Sequence, residues 1–220
     1  MKLAPVLLCV ITDPRLAPGK DHVAIAREAL VGGADMIQLR DKTPDLRRLL
    51  PQAREIQALC RQHHAHFIVN DRVDLALAAE ADGAHVGQDD LPAEAARRLL
   101  GPDRLLGVST HDRAQAEAAV RAGADYIGFG PMFGTGTKET GYTPRGPAFL
   151  AEIRAAVPVP ILAIGGITPA NVAEVIRAGA TAPAVISAIV AAPDIVAATA
   201  EFRRAILAAR GEAPEAAPLA

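Results

Sequence analysis

The chain alternates between short, continuous apolar runs and longer stretches in which apolar residues return every three or four positions. The first pattern suits strands buried on both faces, and the second suits amphipathic helices. The run Val-Leu-Leu-Cys-Val-Ile at 6–11, closed by Thr12-Asp13-Pro14, predicts a first strand. Further strands are predicted at 36–39, 66–69, 84–86, 105–108, 126–129, 160–164 and 184–186. Helices are predicted at 21–31, 44–63, 72–80, 91–100, 111–121, 147–156, 168–178 and 193–209. Thr43 followed by Pro44 reads as an N-cap and first turn, Thr168-Pro169 as another cap, and Gly101-Pro102 as a stop.

A small repeat runs through the helix-to-strand connections. Gly-Ala-Asp stands at 33–35 and at 123–125, with looser copies in Asp82-Gly83-Ala84 and Gly179-Ala180-Thr181. Each puts glycine where a helix end calls for a left-handed residue. Eight strands, each followed by a helix, with short connections and no linker, predict an α/β fold: a single-domain (β/α)8 TIM barrel over residues 1–209. The tail at 210–220, rich in Ala, Pro and Glu, is expected to be disordered. A doubly wound open sheet is disfavoured, because no Gly-x-Gly-x-x-Gly follows the first strand.

Composition narrows the function classes. The 220 residues are 50% hydrophobic, enough for one well-buried domain, but aromatics are only 3% and Trp is absent, so the core must be aliphatic. A net charge of −2 argues against nucleic acid, so an anionic ligand would need a local cluster of Lys and Arg. Cys9 and Cys60 provide neither a disulfide framework nor metal-ligand spacing. No signal peptide and no apolar stretch long enough for a bilayer is evident, which makes a cytoplasmic protein without a membrane partner the expectation.

Barrel chemistry belongs at the C-terminal ends of the strands. There the chain places Gln-Leu-Arg-Asp-Lys at 38–42, Asn70-Asp71, Gly-Gln-Asp-Asp at 87–90 and Ser-Thr-His at 109–111. Gly-Pro-Met-Phe-Gly-Thr-Gly-Thr-Lys at 130–138, Gly165-Gly166 and Ser187 complete the rim. The 130–138 loop is not a P-loop, yet its glycines, hydroxyls and Lys138 suit a phosphate. Asp71 and Asp90 leave adjacent strands and can converge on Mg2+, or each can cap the helix that follows it. Arg40, Lys42 and Lys138 can neutralise a diphosphate. Gly165, Gly166 and Ser187 occupy the positions after strands seven and eight where barrels often bind phosphate, with Ile186-Ser187 opening a short helix. His63, His64 and His66 have metal-like spacing but fall on the opposite, stabilising rim. His85 reads as a hydrogen-bonded core residue, and His111 either serves the active rim or starts the fifth helix.

Assembled in order, these motifs resemble the thiamine-phosphate synthase family over residues 7–189. The resemblance rests on Gln-Leu-Arg-Asp-Lys at 38–42, Asn-Asp at 70–71, His-Val-Gly-Gln-Asp-Asp at 85–90 and Gly-Val-Ser-Thr-His at 107–111. It continues through the loop at 130–138, Ala-Ile-Gly-Gly-Ile at 163–167 and Val-Ile-Ser-Ala-Ile at 185–189. It implies a Mg2+-dependent transferase that joins a pyrimidinylmethyl diphosphate to a thiazole phosphate, releasing pyrophosphate. Carried over, Gln38 would hold the pyrimidine, and Arg40, Lys42, Asn70, Ser109 and Lys138 its diphosphate. Of these, Arg40, Lys42, Ser109 and Lys138 would be catalytic, while Leu39 and Asp41 would complete the substrate-binding run. Asp71 and Asp90 would ligate one Mg2+, with Asp90 preferred to its neighbour Asp89. Thr135, Gly136, Thr137, Gly166, Ile186 and Ser187 would surround the thiazole phosphate. Gly134 and Thr181-Ala182-Pro183 depart from the family pattern. A thiazole tautomerase of the same fold, which would lean on His111, a phosphate-sugar isomerase and a catalytically silent metabolite-binding barrel are the competing readings. The oligomeric state stays open.

Overall fold

Each strand pairs in parallel with the next, and β8 returns to β1, so the sheet closes into an eight-stranded barrel. The structure, a computed structural model, describes residues 3, 5–43, 45–134 and 143–212. Its first half runs β1 (Cys9–Thr12), α1 (His22–Val31), β2 (Met36–Leu39), α2 (Leu46–Gln62), β3 (His66–Asn70), α3 (Val73–Ala78), β4 (Gly83–Val86) and α4 (Ala93–Leu100). The second half runs β5 (Leu105–Thr110), α5 (Arg113–Arg121), β6 (Tyr126–Phe129), α6 (Gly146–Ala156), β7 (Ile161–Ile164), α7 (Val172–Arg177), β8 (Ala182–Val185), α8 (Ser187–Val190) and α9 (Ile195–Arg210). This is the expected (β/α)8 architecture, one domain with helices outside a parallel barrel. Residues 213–220 of the tail lie outside the described residues.

Alternation along the strands divides the apolar residues into two cores. Cys9, Ile11, Met36, Ile68, Leu105, Tyr126, Leu162 and Ala182 fill the barrel interior. Their neighbours Val10, Ile37, Phe67, Leu106, Ile127 and Ile161 face outward and pack under the helices. All of these are nearly or fully buried.

Several boundaries differ from expectation because a side chain captures a backbone group. β1 starts at Cys9 rather than at residue 6, since the N–H groups of Leu7 and Leu8 both donate to the Asp35 carboxylate, each at 3.0 Å. Asp45, not Thr43, caps α2 by accepting from Arg48 N–H at 3.1 Å, and Pro44 lies outside the described residues. α5 opens with Asp112 as its cap, so His111 does not start it. Thr168 begins a turn closed by Asn171 Oδ1, and α7 follows at Val172.

The repeat at the helix-to-strand connections is more regular than the sequence suggested. A left-handed residue followed by Ala ends five helices: Gly33-Ala34, His64-Ala65, Glu80-Ala81, Gly123-Ala124 and Gly179-Ala180. In each, the Ala N–H reaches back to a carbonyl five residues earlier. The copy near residue 82 is therefore Glu80-Ala81-Asp82, and not Asp82-Gly83-Ala84. His64 is the turn residue of a fifth copy and His66 starts β3, which explains their spacing without a metal. Among the described residues no group of three or more His, Cys, Asp or Glu is placed to hold one.

The residue after that Ala has its own task. Asp82 accepts from Phe67 N–H at 2.8 Å, Asp125 from Leu106 N–H at 2.8 Å, and Thr181 Oγ1 from Ile161 N–H at 3.1 Å. With Asp35 on Leu7 and Leu8, a side-chain oxygen before each even-numbered strand caps the start of the preceding odd one. Thr181 thus does with a hydroxyl what Asp does elsewhere, and its departure from the family pattern leaves the cap in place. Arg203 pairs with Asp35 and Arg97 with Asp125.

Asp125→Ala leaves the buried Leu106 amide without its acceptor, so a loss of about 1–3 kcal/mol is expected. Thr181→Ala removes an uncharged acceptor and should cost about 1 kcal/mol. Denaturant unfolding of both variants tests the ordering, and equal stability to the parent would refute the capping account.

Candidate functional site

The alternation that builds the core also sorts the 38–42 run. Gln38 and Arg40 follow Met36 inward, whereas Leu39 is 1% exposed within the helix-side core. Asp41 also turns outward. Its carboxylate accepts from Thr43 N–H at 2.7 Å and from Arg48 at 2.6 Å, and meets His22 Nε2 at 3.1 Å. Burial alone would raise its pKa, but these bonds hold it well below the usual carboxylate range. Burial lowers the pKa of His22 despite Asp41, and its Nδ1 meets Thr12 Oγ1 at 2.7 Å. Leu39 and Asp41, expected to bind substrate, therefore face the helices, and only their backbone is left to the mouth.

Inside the rim the charged groups converge. The Arg40 guanidinium donates to Asp13 Oδ2 at 3.3 Å. Lys42 Nζ bonds Asp71. Asp71 has φ 63°, a left-handed conformation that Asp tolerates better than most residues, and its N–H donates to the His85 carbonyl at 2.7 Å. Its pKa is raised, by burial first and then by the side chain of Asp90, with Lys42 opposing. Neither carboxylate caps its helix. α3 is preceded by Arg72 and α4 by Pro92, both without a side-chain cap, and Asp90 Oδ2 instead accepts from Gly87 N–H at 2.8 Å. A Cβ on Gly87 would lie 2.7 Å from that oxygen, so glycine is what lets the carboxylate fold back. Two like charges pressed together beside a lysine fit a divalent cation completed by phosphate and water.

The floor of the mouth is polar and crowded. His85, 7% exposed, meets Tyr126 Oη through Nδ1 at 3.2 Å and Ser109 Oγ through Nε2 at 2.9 Å. The core role expected for His85 is thus also a grip on Ser109. Two glycines make room. A Cβ on Gly107 would come within 2.2 Å of the Tyr126 ring and 2.4 Å of His85 Nδ1, and one on Gly128 within 3.0 Å of His85. Asn70 pairs in register with His85 across β3 and β4.

On the β5–β8 side lies a cavity of about 320 Å3 that brings together Ser109, His111, Gly166, Ile186 and Ser187. Its walls are backbone packed on backbone. Met132 N–H and Phe133 N–H donate to Ile164 O at 2.8 Å and Gly165 O at 3.0 Å, which ties the stem of the loop after β6 to the end of β7. Gly165 and Gly166 have φ of 101° and 63°, and a Cβ on Gly166 would sit 2.5 Å from Gly134 O. His111 Nδ1 donates to the Gly130 carbonyl at 2.6 Å. As expected, Ile186-Ser187 opens a short helix, α8. Thr135, Gly136, Thr137 and Lys138 lie outside the described residues. Gln38, Arg40, Lys42, Asn70, Asp71 and Asp90 come from the β2–β4 side of the same mouth.

Asp13 and Tyr126 were missed by sequence reasoning. The strand-end rule that found the other rim residues also reaches Thr12-Asp13-Pro14 after β1. Tyr126 carries no local signal, because its partner lies 41 residues away.

The sequence profile of the family described as thiamine monophosphate synthase matches residues 8–189. A thiamine-phosphate synthase from Methanospirillum hungatei is 51% identical over 89% of this chain and 95% of its own length. One from Shouchella clausii is 47% identical over 97% of this chain and 100% of its own. Among solved structures, the thiamine phosphate pyrophosphorylase from Pyrococcus furiosus superposes with a TM-score of 0.85 at 38% identity, covering 93% of this chain and 97% of that one.

Gly107→Ala tests the crowded floor. Overpacking there should cost about 1–3 kcal/mol and displace Tyr126 or His85. Thermal unfolding together with the histidine ring signals in NMR would reveal it, and unchanged signals with unchanged stability would refute the account.

Proposed function

The chain belongs to the thiamine monophosphate synthase family and is a transferase of thiamine biosynthesis. From that premise we propose that it condenses 4-amino-2-methyl-5-(diphosphooxymethyl)pyrimidine with 4-methyl-5-(2-phosphooxyethyl)thiazole to give thiamine phosphate and pyrophosphate. The observation that carries this choice of substrates is the convergence of Asp71 and Asp90 beside Lys42, with Arg40 on the same rim. Such a set matches a diphosphate leaving group and its metal. The cavity between β5 and β8 leaves separate space for a second phosphate.

The reaction needs charge management more than a nucleophile. Asp71 and Asp90 would hold one Mg2+, which when bound would neutralise charge on the diphosphate. Arg40 and Lys42, with Lys138 from the loop, take up the negative charge that grows as the carbon–oxygen bond breaks. Ser109, held by His85, donates to the same group, and Asn70 stands beside it. Gln38 orients the pyrimidine so that the thiazole nitrogen attacks the methylene carbon in line. Gly166, Ile186 and Ser187, with Thr135, Gly136 and Thr137, hold the thiazole phosphate. Among the described residues no helix is long and apolar enough to cross a membrane.

The test follows pyrophosphate release from purified protein given both substrates and Mg2+, with and without EDTA. Release is expected only when both substrates are present and should stop with EDTA. Asp90→Ala should lower Mg2+-dependent turnover by about 100-fold or more, while His111→Ala keeps much of it. No release from folded protein given both substrates and Mg2+ would move the assignment to the tautomerase or to a silent metabolite-binding barrel.

A further inference from the structure

We propose that Asp13 is a positioning residue that aims the Arg40 guanidinium into the mouth of the barrel. The inference rests on the reading that Arg40 holds a diphosphate. It starts from register. Ile11 pairs with Gln38 and Thr12 with Leu39, so continuing both chains by one step sets Asp13 beside Arg40. Both residues keep the inward parity of Ile11 and Gln38, and they meet where the first two strands open into the site.

Asp13 is 2% exposed, yet it carries four hydrogen bonds. Oδ1 accepts from Arg15 N–H at 3.2 Å and Nε at 2.9 Å, and Oδ2 accepts from Arg15 at 2.6 Å and from Arg40 at 3.3 Å. The loop builds this arrangement locally. Asp13 caps a 3-10 turn, Pro14–Leu16, and Pro14 fixes the backbone that returns Arg15 to the carboxylate. Arg15 is 70% exposed, whereas the Arg40 side chain is only 12% exposed. Among the described residues, the Arg40 guanidinium donates to the Asp13 carboxylate.

A buried carboxylate next to a site for a polyanion is adverse by simple Coulomb repulsion. Two guanidinium groups on the one carboxylate leave the trio with net positive charge. A guanidinium has five N–H donors in a rigid plane, so fixing one on Asp13 sets the direction of the others. A brace and a bare charge therefore predict opposite signs when the carboxylate is removed.

Titration calorimetry of inorganic pyrophosphate, at fixed Mg2+, separates the two. It would use the parent protein, Asp13→Asn, Arg40→Ala and the double variant, each checked for folding by thermal unfolding. Arg40→Ala should weaken binding about tenfold or more, and Asp13→Asn about five- to tenfold. In the Arg40→Ala background, Asp13→Asn should change nothing or tighten binding. Should Asp13→Asn fail to fold, Asp13→Glu displaces the charge by one methylene and should show the same dependence on Arg40. Tighter binding by Asp13→Asn alone, or an equal loss with and without Arg40, overturns the brace while leaving Arg40's assignment intact. An Arg40→Ala protein that binds pyrophosphate as the parent does overturns both.

Discussion

Along β2, Gln38 and Arg40 face the barrel axis while Leu39 and Asp41 face the helices, and no loop can alter that parity. Parallel strands buried on both faces have to spend alternate residues on two different cores. Whatever stands one or two places beyond a strand inherits the side it was dealt. Asp13 and Arg40 thereby meet in the mouth, while Thr12, His22 and Asp41 form a separate polar chain behind it. The motif at 38–42 supplies both the site and the bracing under it from adjacent residues.

The two rims use their acids differently. At the N-terminal rim Asp35, Asp82 and Asp125 each accept from backbone amides, and a guanidinium or a side-chain amide completes the partnership. At the C-terminal rim Asp71 and Asp90 crowd each other, with Lys42 as the cation on Asp71. A raised carboxyl pKa in the folded protein means that ionisation of Asp71 works against folding. That contribution is favourable below the unfolded-state pKa and is lost as pH rises through the folded one. Stability given up at a site of this kind is the usual counterpart of ligand binding.

Much of this was legible in the chain. Continuous apolar runs located all eight strands, and the polar residues after them supplied most of the rim. Helix starts were less legible, because Asp45 caps α2 where Thr43 was expected to, Asp112 caps α5 just after its predicted start at His111, and Thr168 donates its own N–H to Asn171 Oδ1 in a turn instead of capping α7. The connection repeat was read out of phase near residue 82 because Glu80 occupies a left-handed position where glycine was the expected signal. The outward turn of Leu39 and Asp41 was available from alternation alone. The His85–Tyr126–Ser109 contacts were not, since register between distant strands decides them.

The caps at the N-terminal rim also divide the chain. Asp35 ties β2 to the start of β1, Asp82 ties β4 to β3, Asp125 ties β6 to β5, and Thr181 ties β8 to β7. Each cap closes over a single intervening helix, so the barrel consists of four strand–helix–strand quarters, each fastened at its base. A circular permutation that opens the chain between quarters keeps every cap within one continuous segment. Opening it inside a quarter sends one of them across the new termini. The same sequence thus marks where its own barrel can be cut and reassembled.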